Sequence, residues 1–390
     1  MALLALCLAS GCGGTRPRPQ ARAPRGIVEM DELRITARRG EGGRYEFEVY
    51  DASDLFNRAT RLLDRGACAQ AVPLYDRLHR EFAGSRYHSA ALYNAGLCLI
   101  QLGELQAARA RYETLLRELP GSRDARHASF QLVQVLLELE SWQALLDRVD
   151  ALLARDDLTV AERVEAMARR AQALFGARRL DEAERQARGT LALQRQRPEA
   201  EQRADVHFAA AANFVLAETI RSRAQALRFP KDSAEAQQRV LLQRAELVLK
   251  AQREYFNAIR FTDSHWAAAS GYRIGHMYDE LWHAIMHSPI PPRVPKGGEE
   301  AYRDELAKLI KPLIRHAIRY WELTLMLIER TGVQGGWASK TRKDLERVRE
   351  LMLEQPPGPG GVSEQQLREF QGRQRAVKPS AAAGSAGSSP

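Results

Sequence analysis

Four side chains that could bind a metal lie on one predicted helix. His276, Glu280, His283 and His287 follow one another at i, i+4, i+7 and i+11, so they share one helix face. Imidazole and carboxylate groups are ligands of Zn²⁺, so the pattern offers an alternative function, a metal-binding protein or metal-dependent enzyme. The favoured interpretation is a polar stripe along a helix surface. The sequence has no HExxH motif, and no second segment offers an obvious further ligand.

The first twelve residues form an apolar run that ends at a cysteine. Residues 2–8 are apolar, residues 9–11 are small, and Cys12 follows. This order resembles the bacterial lipobox, which implies acylation of Cys12. Gly13 at the next position implies transfer to the outer membrane, with the protein facing the periplasm. Ala9 stands where Leu is usual and no basic residue precedes the run, so we expect an upstream start codon. A truncated ordinary signal peptide is the alternative.

Composition excludes several classes of protein. The 390 residues are 45% hydrophobic and 27% charged, as in folded chains, and no apolar run reaches the length of about 18 residues that a spanning helix needs. The net charge of +9 invites a nucleic-acid partner. However, the basic residues are interleaved with acids and lack the aromatic spacing of single-strand binders. There is no Walker loop, GxGxxG, GxSxG, kinase motif or CxxC. The sequence therefore predicts no enzyme, no cofactor and no nucleic-acid partner.

A repeat of 37 residues organises the middle of the chain. Equivalent residues recur at this spacing with helical periodicity, which is typical of stacked helical hairpins. They are Phe56, Tyr93 and Phe130; Ala71 and Ala108; Tyr75 and Tyr112; Gly66 and Gly103. The best unit has Leu92, Gly96, Leu99, Gly103, Ala108, Tyr112 and Pro120, and it resembles the tetratricopeptide repeat (TPR). In this interpretation the small Gly96 and Ala108 let two helices approach, and Tyr112 fills the gap beside them.

The resemblance implies a scaffold protein. The period is three residues longer than the usual repeat, and its closing turns, 81–85 and 118–122, resemble those of periplasmic TPR lipoproteins of the BamD and CpoB/YbgF types. This implies a lipid-anchored protein that binds other envelope proteins in outer-membrane biogenesis, wall synthesis or a motility complex. Contact with the membrane is expected only through the lipid.

In TPR proteins, defined positions of the first helix of each repeat face a concave groove. Carried onto this sequence, the groove has an aromatic ladder flanked by aliphatic side chains, which suits an extended or helical peptide. The groove residues are Phe56, Leu63, Tyr93, Leu97, Ile100, Phe130 and Leu137. The alternative is that the hairpin, or a later helix of the chain, covers this groove.

Two cysteines remain in the folded part of the chain. Cys68 begins the second helix of one repeat, and Cys98 lies in the first helix of the next, so neighbouring helices carry them. An exported protein can form disulfides, and this loop would gain roughly 3–4 kcal/mol on closure. A Cys68–Cys98 disulfide and two buried free thiols both stay open.

The complete prediction is an all-α, TPR-like α-solenoid with a small N-terminal β-hairpin and disordered termini. Two runs of alternating apolar residues around a Gly-rich turn predict the hairpin, and an isolated hairpin would be marginal, so we expect it to pack on the following helices. The predicted segments are a signal peptide (1–12), a tether (13–30), the hairpin (31–50), four repeats (51–200), a helical extension (201–354) with a Pro-rich insert (289–295), and a disordered tail (355–390).

Overall fold

A computed structural model describes residues 32–39, 44–204, 206–231, 233–292 and 294–354. The predicted signal peptide with Cys12, the tether and the tail lie outside these residues. The predicted fold class is confirmed in the part described: 14 helices follow one two-stranded antiparallel hairpin. No helix among the described residues combines the length and the apolar character that crossing a membrane requires.

The hairpin and the first helices have these bounds: β1 Arg34–Arg39, β2 Tyr45–Tyr50, α1 Ala52–Asp64, α2 Cys68–Glu81, α3 His88–Gln101, α4 Leu105–Glu118, α5 Arg123–Glu138, α6 Trp142–Leu153, α7 Val160–Gly176 and α8 Leu180–Arg195. The later helices are α9 Glu199–Ala204, α10 His207–Ala226, α11 Ala234–Arg260, α12 Ser264–Met286, α13 Glu299–Thr331 and α14 Trp337–Glu354. Helix α13 continues through Pro312, so the helix restart that this proline could have caused does not occur.

The contacts divide the chain into two compact units. The first unit ends at Ala128 and the second begins at Ser129, inside α5. The predicted boundary between repeats and extension, near residue 200, lies within the second unit.

All four predicted repeats carry the same turn between their two helices. One residue there has a positive φ, at spacings of 37, 37 and 38 residues: Gly66 (71°), Gly103 (77°), Glu140 (51°) and Arg178 (63°). Each turn closes with the two hydrogen bonds of a Schellman motif. In the first repeat the Gly66 amide donates to the Leu63 carbonyl and the Ala67 amide to the Leu62 carbonyl, both at 2.8 Å. The other three repeats have equivalent bonds of 2.8–3.1 Å. The degenerate third and fourth repeats therefore keep the geometry of the first two.

In the first unit, small and large side chains alternate across the helix pairs. Gly96 in α3 faces the ring of Tyr112 in α4, and a Cβ at Gly96 would lie only 2.5 Å from two of its ring carbons. Tyr112 and Ala108 are completely buried. The predicted packing of this repeat is therefore present, since only a residue without a Cβ lets α3 approach the tyrosine ring so closely.

The second unit uses the same device with different residues. Gly275 in α12 packs against the indole of Trp321 in α13, where a Cβ would meet the indole nitrogen at 2.5 Å. The Trp321 Nε1 donates to the Tyr272 carbonyl at 3.1 Å, which satisfies the polar atom of a fully buried side chain. Helix α13 ends at Gly332, whose φ of 65° terminates it.

Candidate functional site

The predicted groove residues are all half-buried. Five of them belong to the first unit, on α1 and α3, and two belong to the second unit, on α5. They are Phe56 and Leu63, then Tyr93, Leu97 and Ile100, then Phe130 and Leu137. Partial exposure is what a surface that binds a partner requires, but it is also found at the edge of a core.

Part of the aromatic ladder is committed to packing inside the first unit. The Phe56 ring stacks on Tyr87, with centroids 4.9 Å apart, and meets the buried Tyr75 edge-on at 6.1 Å. Tyr93 lies against Tyr112, with centroids 6.0 Å apart. Phe56 therefore stabilises the core at one edge, and its substitution would test folding as well as binding.

The hairpin presents an apolar face to solvent. The strand register pairs Ile35 with Val49 and Ala37 with Phe47, so these side chains lie on one side of the two strands. Five large apolar residues of this side are 50–70% exposed. We define the hairpin outer face as Leu33, Ile35, Ala37, Tyr45, Phe47 and Val49. So much adjacent apolar surface on a folded unit is typical of an interaction site.

The opposite side of the hairpin is polar and packs on the helices. Glu48 lies 3.1 Å from both Arg58 of α1 and Arg77 of α2, and hydrogen bonds from these arginines lower the pKa of its carboxyl group. The buried Tyr50 hydroxyl donates to Glu81 at 2.5 Å, and the Arg77 guanidinium lies 3.9 Å from the centre of the Tyr50 ring. Ion pairs and one tyrosine thus fix the hairpin, which leaves its apolar side free.

Alternation predicted the two strands, but it could not tell which side faces the helices. The usual arrangement places the apolar side inward. The sequence did hold one signal, the charge on the other side of the hairpin. Glu48 of β2 lies only ten residues before Arg58 of α1, and a short connection joins this strand to this helix. The hairpin outer face was therefore missed as a site.

The four metal-ligand candidates on α12 do not converge on one point. Glu280 is bound by Arg221 of α10 through two hydrogen bonds of 2.8 and 2.9 Å, and it lies 3.0 Å from the His276 Nδ1. Burial would raise the pKa of Glu280, but the hydrogen bond from His276 and the charge of Arg221 lower it. His283 instead approaches Asp279, at 3.4 Å, and the His287 Nδ1 lies 2.8 Å from the His283 carbonyl. Within the described residues, these side chains form separate ion pairs and helix contacts.

The two cysteines are buried free thiols in this structure. The Cys68 thiol donates to the Gln101 Oε1 at 3.0 Å. Burial, followed by a hydrogen bond with Cys68, raises the pKa of Cys98 to about 12. The Cys68 sulfur is thus directed to an amide oxygen. The proximity of the two thiols keeps the disulfide as a prediction for oxidised protein.

A cavity of 360 Å³ lies within the second unit. It is lined by Leu191, Gln194, Arg195, Gln202, Asn213, Asn257, Arg260 and Phe261. None of these eight residues is a carboxylate, histidine, cysteine or serine. The described lining therefore offers polar contacts but no acid–base pair or nucleophile.

Comparison with known proteins reveals resemblance only among solved structures. No protein-family model matches the chain, and no curated protein matches its sequence. A tetratricopeptide repeat protein from Parabacteroides merdae is 14% identical, with 76% of this chain and 98% of that one covered and a TM-score of 0.38. MamA from Desulfovibrio magneticus RS-1 is 18% identical over 52% of this chain and 94% of that one, with a TM-score of 0.35.

The repeat assignment rests on the chain's own geometry. Four equivalent turns with the same φ sign and the same paired hydrogen bonds recur at nearly constant spacing. The chain has a TPR-like repeat fold. In this fold, the faces not used between helices are the surfaces that remain for partners.

Proposed function

We propose that this chain is a non-enzymatic scaffold of the bacterial cell envelope, and that a partner protein docks on the hairpin outer face. The observation that carries the proposal is the exposure of five large apolar side chains on one side of a hairpin that ion pairs hold in place. Full burial of such side chains contributes roughly 1.5–3 kcal/mol each. This is enough for a few of them to offset the cost of association.

The partner we propose presents an extended apolar segment. The described hairpin has two strands, so each strand pairs on one side only and keeps a free edge. A strand added to such an edge gains main-chain hydrogen bonds, while the apolar side chains select the sequence. Arg39 and Arg44 are exposed at the turn end of the hairpin and favour acidic residues flanking that segment.

The anchor belongs to the same proposal. Acylation of Cys12 would hold the protein on the outer membrane, facing the periplasm, with residues 13–30 as a tether between lipid and hairpin. In the extended form 18 residues reach about 60 Å, so the hairpin outer face could serve partners well above the membrane surface. We propose that the anchored scaffold serves outer-membrane biogenesis, wall synthesis or a motility complex.

Site-specific crosslinking in cells tests the docking surface. A photoreactive amino acid in place of Phe47, which is 70% exposed, should yield an adduct with another envelope protein, identified by mass spectrometry. The matched control is the same amino acid in place of Leu309, an apolar residue of α13 that is 75% exposed. Equal adducts from both positions would refute the proposal. So would adducts only with this chain's own termini or with a second copy.

Substitution provides the complementary test. Phe47→Ser with Val49→Ser should remove the adduct partner from a pulldown, while Leu309→Ser retains it and all variants keep the wild-type helical circular dichroism. The predicted groove is tested separately with Leu97→Ala, since Phe56 and Tyr93 both pack against other aromatic rings. Labelled palmitate should be incorporated into the wild type and lost on Cys12→Ala. A wild type without label would exclude the anchor but leave the docking surface standing.

A further inference from the structure

Three groups that can bind a metal meet where three helices of the first unit come together. His79 lies in the last turn of α2, His88 begins α3, and Glu118 ends α4. Their ligand atoms all lie within 4.8 Å of one another. A six-residue turn separates the helices of His79 and His88; His79 belongs to the first repeat, while His88 and Glu118 belong to the second. This site is distinct from the α12 histidines.

The orientation of His88 is fixed by the backbone. Its Nδ1 lies 2.6 Å from the Ala83 carbonyl oxygen, which can only accept, so this nitrogen carries a proton. In the neutral ring the Nε2 is then an unprotonated lone pair. Histidine ligands of metals usually donate their other ring N–H to such a carbonyl, which sets the tautomer and the ring plane. The side chain is also buried, so it cannot turn away.

The lone pair of His88 points at a second imidazole. The His79 Nδ1 lies 2.7 Å from the His88 Nε2, and the two rings are stacked with their centroids 5.0 Å apart. Without a metal, a neutral His79 donates its Nδ1 proton across this contact. In the other neutral tautomer His79 carries the proton on Nε2, and the two nitrogens then present lone pairs to one point. A cation held there takes the place of the shared proton.

The carboxylate of Glu118 supplies negative charge at the solvent side. It is exposed and forms an ion pair with the neighbouring Arg117, whose guanidinium lies 3.1 Å away. The nearby Arg111 is engaged with Asp76 through two hydrogen bonds of 2.8 Å, so its charge is already compensated. Two buried or half-buried nitrogens and one exposed carboxylate leave a fourth position toward solvent.

We propose that His79, His88 and Glu118 form a Zn²⁺ site that joins two consecutive repeats. Two histidines and one carboxylate are a known zinc ligand set, with water or a partner's side chain in the fourth position. With Zn–N bonds of about 2.0–2.1 Å in tetrahedral geometry, the two nitrogens must stand about 3.3 Å apart. His79 has to move outward by about 0.6 Å from its 2.7 Å contact, and it is half-buried at a helix end.

Metal binding would tie α4 to the α2–α3 turn. A ligand that binds only the folded state stabilises it in proportion to the logarithm of its free concentration over Kd. The α2–α3 turn and the end of α4 should therefore become better protected against amide exchange when zinc is added. The hairpin outer face involves none of the three ligands, so this site and the docking proposal can fail independently.

Isothermal titration of the full chain, purified without a histidine tag, tests the site. ZnCl₂ should bind with a stoichiometry of one, and Co²⁺ in its place should give the visible absorption of a tetrahedral complex. Glu118→Gln and His79→Asn alter half-exposed groups and leave the buried His88 in place, so they should fold as the wild type does. Each should weaken zinc binding by more than the roughly 10–100-fold that loss of an outer-shell partner costs.

Matched controls use histidines outside the site. His127→Ala, in the same unit, and His287→Ala, on α12, should leave the titration unchanged. No zinc binding by the wild type would overturn the proposal. Binding that survives both His79→Asn and Glu118→Gln, or that is lost on His287→Ala, would also overturn it. His88→Ala should weaken zinc binding more than the other substitutions do, and the circular dichroism of this variant shows whether the fold is kept.

Discussion

Replacing Gly96 with alanine should destabilise the second repeat. The added Cβ would lie 2.5 Å from the Cε1 and Cζ atoms of Tyr112, and 2.9 Å from its hydroxyl oxygen. These distances are far below ordinary contact, and the tyrosine is completely buried, so its ring cannot swing into solvent. Either the ring leaves its rotamer or α3 and α4 move apart.

The expected cost is the difference between two opposing effects. Overpacking a well-packed core costs about 1–3 kcal/mol, and overlap with two atoms of a rigid ring places Gly96→Ala near the upper end. Alanine in a helix interior gains about 1 kcal/mol over glycine. The net effect on the free energy of unfolding of this repeat is therefore a loss of about 2 kcal/mol.

Amide hydrogen exchange followed by mass spectrometry measures this loss where it occurs. A repeat protein does not unfold in a single step, so a global denaturation curve would mix the repeats. Peptides from α3 and α4 should exchange faster in Gly96→Ala, while peptides from the second unit stay unchanged. Gly121→Ala is the matched control, because a Cβ at Gly121 meets no atom within 4 Å.

Measuring Gly96→Ala in a protein that also carries Tyr112→Leu separates the clash with the tyrosine ring from any general effect of the substitution. In Tyr112→Leu the ring atoms that a Cβ would strike are gone, so adding Gly96→Ala should cost little or even stabilise the helix. The reasoning is refuted if Gly96→Ala exchanges like the wild type. It is also refuted if the cost of Gly96→Ala is the same with Tyr112 as with Leu at position 112.

The turns, the hairpin carboxylate and the thiols each lead to a further measurable outcome. Glu140→Gly removes a side chain from a backbone with φ of 51°, so the local free energy of unfolding should rise by about 1 kcal/mol. Amide exchange in α5 and α6 should therefore slow, and faster exchange would contradict this. Two arginines lower the pKa of Glu48 in the folded protein below its ordinary value of 4.5. The contribution of Glu48 to stability is therefore fully present above about pH 4.5 and is lost as the pH falls through the pKa of the folded state. Exchange of β2, corrected for the intrinsic rate, should therefore accelerate on acidification, and a pH-independent rate would exclude this role. Cys98, with a pKa of about 12, should react slowly with a maleimide at neutral pH until the chain is denatured. If labelling in denaturant also needs a reductant, Cys68 and Cys98 form the disulfide.

The sequence predicted the repeats well, because two of the four turns contain glycine. Gly66 and Gly103 mark the left-handed position directly, and the period follows from them. Glu140 and Arg178 adopt the same conformation at an energetic cost, which other contacts must offset. Glutamate and arginine do not indicate a left-handed position in a sequence, so the third and fourth turns could be placed only by counting from the first two.

Chemical sites were harder to predict than the fold. A helix groups residues at i, i+4 and i+7, so a local pattern selected His276, Glu280 and His283. Arg221, which occupies Glu280, comes from another helix, and such a nonlocal contact leaves no local pattern. The grouping of His79 with Glu118 depends in the same way on how α2 and α4 pack, and spacing along the chain does not reveal it.

Packing and partner binding place different demands on these repeats. The positions equivalent to Gly96 and Tyr112 are buried in all four repeats, but the residues at these positions differ in size from repeat to repeat. The pairs by repeat are Ala59 and Tyr75, Gly96 and Tyr112, Val133 and Val149, and Ala171 and Ala187. The first two repeats pair a small residue with a tyrosine, the third has two valines and the fourth has two alanines, so each repeat fills its interior in its own way. Interior positions are therefore constrained pairwise, and they are poor places to look for binding specificity. Outward positions such as Phe47 carry no such constraint from within the fold, because solvent surrounds most of the side chain. An exposed aromatic residue there does not stabilise the isolated protein, and this is why we propose that a partner docks on the hairpin outer face and not on a repeat interior.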